Sequence, residues 1–283
     1  MSVVDPPRAT SPVTHPLHVL AVSPHLDDAA FSAGATLATL TAHGHRVTLV
    51  TAFTASVPHP SDFALACQAR LGVPASVDLM AMRRVEDMEA AARLGVQRLV
   101  HLPFAEAQYR GYDSPEALKG PLREDDDVAP DLRAALDVLG EYDLILAPLA
   151  LGDHVDHRQL LRALGLTGRW DDPEPVARFS RGPLSLWRDT PHVLHGGDPP
   201  TPGDDAVVVS GDALKRKLAA CACYSTTLGS QFGGERRMRE MLSDLAFSEG
   251  GRHGRPAPAE AFAPASPVVR ALRQPRLVRP HAA

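Results

Sequence analysis

The chain has 283 residues, 44% of them apolar, and a formal net charge of −5. That length allows one large or two small domains and buries a sizeable core. No basic run marks a phosphate-tracking surface, so nucleic acid is not expected as a partner; no apolar stretch reaches the roughly 18 residues a membrane helix needs.

Residues 1–16, MSVVDPPRATSPVTHP, lack the apolar core of a secretory signal and read as a flexible, Pro-rich lead. LHVLAVS (17–23) is a short apolar run with β-branched content, a first strand. AAFSAGATLATLTAH (29–43) predicts an Ala-rich helix that stops near Gly44. RVTLVTAF (46–53) predicts a second strand, and 54–81 a long loop with some helix. RRVEDMEAAARL (83–94) predicts a helix ending at Gly95, and QRLVHLPF (97–104) a third strand. The stretch 105–128 is irregular, and its REDDD run reads as a solvated loop face. A helix over 130–140 and a buried strand DLILAP (143–148) follow. Residues 171–205 carry short β-like pieces such as LSLWR, and AVVVS (206–210) precedes a helix over about 211–223. From 250 onward Pro, Arg and Ala dominate, which predicts a loosely held tail. The strand–helix alternation argues an α/β fold, a parallel-rich sheet with helices on both faces, in one domain over 17–249.

Cys67, Cys221 and Cys223 do not make a disulfide framework, so reduced thiols and a cytoplasmic location are expected. C-x-C at 221–223 without a second pair reads as packing before zinc ligation. Trp170 and Trp187 read as core or edge residues before sugar-stacking ones.

Two clusters carry chemistry. SPHLDD (23–28) follows the first strand and LGDHVDH (151–157) follows the strand DLILAP. Ligands in open α/β sheets bind beyond the carboxyl ends of strands, so both clusters can meet in one pocket. His25 and Asp28 are three apart, as are His154 and His157, and in a first helical turn that spacing puts a pair on one side. Adjacent carboxylates such as Asp27 and Asp28 need solvation or a cation. Imidazoles and carboxylates without thiolates suit zinc, and iron(II) or manganese accept the same donors. A catalytic zinc takes three protein ligands and keeps a position for water. Two residues of the first cluster and one of the second would supply them, leaving a carboxylate and an imidazole for proton transfer. Taken singly, each cluster also has a plain structural reading: an Asp at a helix N-terminus, or a pair of satisfied histidines.

SPHLDDAAFSAGATLA resembles the first signature of the LmbE-like, or PIG-L, family of zinc-dependent deacetylases, and HVDHRQL resembles the second, H-P-D-H. RRVEDMEAAARLGV resembles the family's Arg-Arg-x-E helix, and KRKLAACACYST its late Lys-x-x-A helix. The resemblance runs in order from about residue 17 to 231. It implies a Rossmann-like sheet and hydrolysis of an N-acyl amide on an N-acetylglucosamine-type sugar. Carried over by position, His25, Asp28 and His157 would hold one zinc, Asp27 would be the general base, and His154 the charged imidazole that stabilises the oxyanion or protonates the amine. Asp156 would orient a histidine. The chain departs from the family at Leu26, Ala29 and Gly34-Ala35, where Pro, Glu and Gly-Gly are usual. The Leu and Ala variants, and LPFAEAQYR (102–110), are similar to actinobacterial enzymes that deacetylate antibiotic sugars.

Glu106, Tyr109 and Arg110 are candidates to line the sugar site, as is Arg83, which could instead pair with Glu86 to hold the fold. The expected partner is a small N-acetylated glycoside. Two alternatives remain at this level: a metal-dependent amidase acting on a non-sugar amide such as a thiol conjugate, and a sugar-binding relative without turnover. The first strand is followed by PHLDD in place of a G-x-G-x-x-G loop, which argues against a dinucleotide-binding oxidoreductase.

Overall fold

A computed structural model describes residues 15–166, 182–196 and 203–272. Trp170, most of the 1–16 lead and residues 273–283 lie outside them. Five parallel strands form first: β1 (His18–Ser23), β2 (Arg46–Phe53), β3 (Arg98–Phe104), β4 (Leu144–Pro148) and β5 (Leu184–Trp187). β6 (Asp205–Val208) and β7 (Ala259–Phe262) complete a seven-stranded sheet in the order β3-β2-β1-β4-β5-β7-β6. β7 runs antiparallel to both of its neighbours.

Chain progression from β1 goes one way through β2 and β3, then returns to the other flank of β1 with β4. The connections leaving β1 and β4 therefore diverge at adjacent carboxyl ends, and a crevice opens there. Both sequence clusters lie at that crevice.

The central strands β1, β2 and β4 are buried on both faces. Val19 and Ala21 of β1 face one core and Leu20 and Val22 the other, as the period of two requires. The first core is covered by α1 (Asp28–Ala42), α3 (Leu79–Leu94), α7 (Gly211–Cys221), α8 (Ser225–Phe232), α9 (Glu235–Arg252) and α10 (Pro267–Leu272). The second is covered by α4 (Val128–Asp137) and α5 (Val155–Ala163). Two short helices, α2 (Asp62–Arg70) and α6 (Thr190–Leu194), sit in the connections. No described helix is long and apolar enough to cross a membrane.

α3 begins four residues before the predicted start, because Asp78 caps it by accepting from the Ala81 N–H. It ends at Gly95 in the left-handed conformation (φ 75°), as expected. α1 is interrupted at Ala33 (φ −124°, ψ 15°). The Ala35 and Thr36 N–H groups beyond the break donate to Glu260 of β7, at 3.0 and 2.7 Å. Lys217 of α7 pairs with the same carboxylate at 2.6 Å. A Cβ on Gly34 would stand 3.1 Å from Lys217 Cγ, so this Gly lets α1 and α7 approach.

The expected loose tail from 250 is corrected for residues 250–272. α9 runs through Arg252, β7 is buried inside the sheet, and Val268 and Val269 of α10 join the core. Tertiary pairing overrides the Pro- and Ala-rich composition there. Trp187 is fully buried in the first core, and the Cys221 thiol is buried against Ala30 O, its pKa pushed up to about 12 by burial.

Candidate active site

The turn after β1 is closed by its own side chains. Ser23 Oγ donates to His25 O at 2.7 Å and accepts from Ala29 N at 3.1 Å. The His25 N–H donates to Asp28 Oδ2 at 3.0 Å. At the second cluster, the loop between β4 and α5 holds Ala150 (φ 61°), Gly152 (φ 84°) and Asp153 (φ 56°) in the left-handed region. Non-glycine residues adopt that region at a cost, and only where the surroundings hold them. The loop delivers His154 to the N-cap of α5, where its Nδ1 accepts from the Asp156 N–H at 3.2 Å.

The donor atoms of His25, His154 and His157 all lie within 4.8 Å of one another. A tighter set includes Asp28: its Oδ2 is 3.1 Å from His25 Nδ1 and 3.3 Å from His157 Nε2. A tetrahedral zinc with bonds near 2.0–2.1 Å puts its donors about 3.3 Å apart, so this set fits the ion. The outer nitrogen of each of these two imidazoles rests on a buried carboxylate. His25 Nε2 meets Asp156 Oδ2 at 3.0 Å, and His157 Nδ1 meets Asp189 Oδ1 at 3.0 Å. That is how metal-ligating histidines are commonly oriented. His154 differs: a ring that bonds metal through Nε2 carries its proton on Nδ1, and such a ring cannot accept the Asp156 N–H.

In the metal-free chain protons play the part of the cation. Burial alone would lower the pKa of His157, but the charges and hydrogen bonds of Asp28 and Asp189 outweigh it and push it up to about 9. His25 is likewise lifted well above the ordinary range, its burial overcome by Asp156 and Asp28. Burial would raise Asp28, yet His157 and His25 hold it well below the carboxylate range. A raised histidine pKa stabilises the fold fully below about 6.5 and ceases to do so as pH rises through the folded value, here about 9. The chelated protein is therefore expected to lose on the order of 2–3 kcal/mol between pH 6.5 and 9. Its Tm should fall by roughly 5–10 °C over that window, and by much less when zinc is bound. Equal Tm values at the two pH values in the chelated protein would remove the carboxylate-backed charge on these imidazoles.

Asp27 is buried, and burial lifts its pKa to about 7 against the opposing charge of Arg83. Arg83 Nη2 donates to Asp27 Oδ2 at 3.3 Å, and Gln231 Nε2 approaches the same oxygen at 3.5 Å. His154 is pushed down to about 3, first by burial and then by charged His25. Against the expected charged His154, these surroundings favour the neutral ring, which with Nδ1 accepting is the Nε2–H form.

Several candidates for sugar contact are committed elsewhere. Arg110 donates from Nη1 to Asp156 Oδ1 at 2.7 Å and from Nε and Nη2 to Asp126 at 3.0 and 2.9 Å, with its guanidinium 4.9 Å from the Phe53 ring centroid. It stands behind the site and holds Asp156, which is fully buried and also accepts from the Ala107 N–H. Glu106 is buried and bridges Arg83 at 2.7 Å and Gln108. Arg83 pairs with Asp27 and Glu106 and not with Glu86, whose carboxylate accepts from Ser225 Oγ and from the N–H and hydroxyl of Thr226 at the start of α8. Tyr109 remains half-buried beside Glu106, its pKa pushed up to about 12 by burial and that carboxylate.

Three residues of this neighbourhood went unread in the sequence. Asp126 was hidden in the acidic run taken as solvated; it is buried, and it accepts from Arg110 and from Tyr112 OH. Gln231 lies in α8, a helix the sequence reading did not place. Asp189 follows β5 as the first cluster follows β1, an acid just beyond a strand end, and that was its only signal.

The family model described as PIG-L, GlcNAc-PI de-N-acetylase, matches residues 20–165. A 2'-N-acetylparomamine deacetylase of Streptomyces fradiae is 34% identical over 155 residues, which is 54% of this chain and 53% of the relative. The match thus spans about half the length of that relative. Among solved structures, A40926 pseudoaglycone deacetylase shares 28% identity at a TM-score of 0.71, over 87% of this chain and 96% of the other. A deacetylase in the biosynthesis pathway of teicoplanin shares 26% identity at a TM-score of 0.69, over 87% and 96%.

Proposed function

The chain belongs to the PIG-L (GlcNAc-PI de-N-acetylase) family, and on that premise we propose that it is a metal-dependent N-deacetylase of an N-acetylated sugar carried on a small molecule. One observation carries the reading: Asp28 Oδ2 converges with His25 Nδ1 and His157 Nε2 at ion-sharing distances, beside a buried Asp27 of raised pKa. His25, Asp28 and His157 would hold the metal, and zinc is the ion their chemistry suits best, ahead of iron(II) and manganese. When bound, such an ion lowers the pKa of a water to roughly 7 and polarises the amide carbonyl.

The chain's own groups move the protons. Arg83 and Gln231 both engage Asp27 Oδ2, which leaves Oδ1 to take a proton from the attacking water. A buried carboxyl lifted above the ordinary carboxylate range is basic enough to take that proton and acidic enough to return it. Returned to the amide nitrogen, it makes the amine a competent leaving group. The water oxygen joins the acyl carbon, the C–N bond breaks, and acetate and free amine leave. His154, neutral, donates from Nε2 to the acyl oxygen as negative charge develops there. Asp156 holds His25 in orientation, and Tyr109 is the remaining candidate to meet the sugar.

The sugar acetamide is supported by what the relatives are named for: a 2'-N-acetylparomamine deacetylase, an A40926 pseudoaglycone deacetylase and a deacetylase in the biosynthesis pathway of teicoplanin. A reducing, cytoplasmic setting belongs to the same reading, in keeping with the free thiols of Cys67, Cys221 and Cys223. Acetate release by the zinc-loaded protein tests it, on a panel of N-acetylated glycosides, N-acetyl amino acids and N-acyl thiol conjugates. We expect kcat/KM on a glycoside to exceed that on either other class by at least about tenfold, the effect of about 1.4 kcal/mol of differential transition-state binding. Turnover confined to the non-sugar amides would transfer the assignment to them. Binding of glycosides without acetate release would make the protein a sugar-binding relative.

A further inference from the structure

The short segment that follows β5 touches α1, α5 and the loop before α5, which carry Asp28, His157 and His154. Asp189 is buried, 3% exposed, and uses its two oxygens on two different parts of the centre. Oδ1 meets His157 Nδ1 at 3.0 Å, and Oδ2 accepts from the Leu151 N–H at 3.0 Å. Leu151 lies between Ala150 and Gly152, inside the left-handed loop that delivers His154. The next residue, Thr190, donates its N–H to Ser32 Oγ at 3.1 Å, one turn along α1 from Asp28. The backbone beneath is fixed by β4–β5 pairing, which continues as Leu149 N donates to Trp187 O at 2.9 Å. Trp187, Asp189 and Thr190 themselves lie beyond residue 165, where the match to the family model ends, while these partners lie within it.

We propose that Asp189 is a positioning residue that locks together the metal ligand His157 and the His154 loop, one carboxylate serving both. The proposal rests on the metal-dependent reading above. Its chemistry is specific to a carboxylate. With Oδ1 accepting from Nδ1–H, the His157 ring keeps its lone pair on Nε2, the nitrogen that faces Asp28 at 3.3 Å. With Oδ2 accepting from Leu151, a strained loop gains the outside restraint it needs. An amide has a single acceptor oxygen. Turned one way, an Asn here would put its NH2 against the Leu151 N–H and release the loop. Turned the other way it would put that NH2 against Nδ1 and force the proton onto Nε2, which removes the ring as a ligand. Asp156 serves His25 in parallel, but it is held by Arg110 and reaches the second cluster only from within that cluster. Asp189 joins the centre from a separate strand.

The test is an Asp189→Asn variant, loaded with zinc in competition with a chromophoric chelator and, separately, with cobalt(II) for its visible spectrum. Zinc affinity is expected to fall about 10–100-fold, with a displaced cobalt spectrum and a near-normal far-UV circular dichroism signal. A purely structural role would lower Tm without altering affinity per folded chain. Affinity within twofold of wild type, with an unchanged cobalt spectrum, overturns the proposal alone. Failure of the wild type to take up either metal overturns the metal-dependent reading and this proposal with it. A second measurement does not depend on the variant's folding. In the zinc-loaded wild type, proton NMR should show the His157 ring hydrogen on Nδ1, strongly downfield as befits a bond to a carboxylate. Finding the hydrogen on Nε2 would equally overturn it.

Discussion

An Asp27→Asn variant is expected to keep about one zinc per chain and to lose on the order of 10²–10⁴-fold in turnover, the scale of a positioned acid–base group. Asn is isosteric, and it retains an oxygen for Arg83 Nη2 and Gln231 Nε2, so the fold should survive. What it cannot do is hold the proton between water and amine. The wild-type rate should rise with pH as Asp27 ionises, below the value of about 7 that burial gives it in the metal-free chain, because a nearby dication favours the carboxylate. That limb reports a coupled site, so it belongs to Asp27 and the reacting water together. No falling limb is assigned to His154, because burial and the neighbouring His25 push its pKa down. If Asp27→Asn lost zinc in parallel with activity, the division of labour within the Asp pair would be wrong.

His157→Ala should behave in the opposite way, with zinc content falling from about one towards zero. Loss of a Lewis acid worth several kcal/mol, at tenfold per 1.36 kcal/mol, should reduce turnover by about 10³-fold or more. Chelation of the wild type should do the same and be reversed by added zinc. The variant should also lose most of the alkaline destabilisation expected of the chelated wild type, because the imidazole responsible for much of it is gone. Unchanged metal content in this variant would remove His157 from the ligand set and leave His25, Asp28 and His154 as the donors to consider.

Much of the site was legible because its residues are local in sequence. SPHLDD and LGDHVDH each follow an unbroken apolar run, and such runs are read with few errors: β2 was expected at 46–53 and lies there. The switch in strand order that brings the two clusters together is a matter of topology, which local pattern does not encode. What stayed hidden depends on partners distant along the chain. Arg110 reads as a sugar-binding residue until Asp126 and Asp156 are seen to occupy its donors. Asp126 reads as one solvated acid among several until Tyr112 and Gln159 are seen over it. β7, only four residues long, has no pattern of its own and is a strand because β5 and β6 flank it. His154 reads as a charged imidazole because its sequence neighbours say nothing of the two imidazoles against which its ring lies, with centroids 4.9 Å from His25 and 5.6 Å from His157.

The place of β7 sets an order of events during synthesis. β6 emerges about fifty residues before the strand that is its neighbour in the sheet, and Lys217 emerges about forty before Glu260. Until that carboxylate arrives, a nascent chain holds an ammonium with no counter-charge and a helix break with two unmet amide hydrogens, a few residues beyond Asp28. The first cluster is translated well before Glu260, yet the helix that leads away from it is supported by that residue. A ribosome-bound intermediate can thus pair the five parallel strands while α1 beyond Ala33 still lacks the carboxylate that receives the Ala35 and Thr36 amide hydrogens.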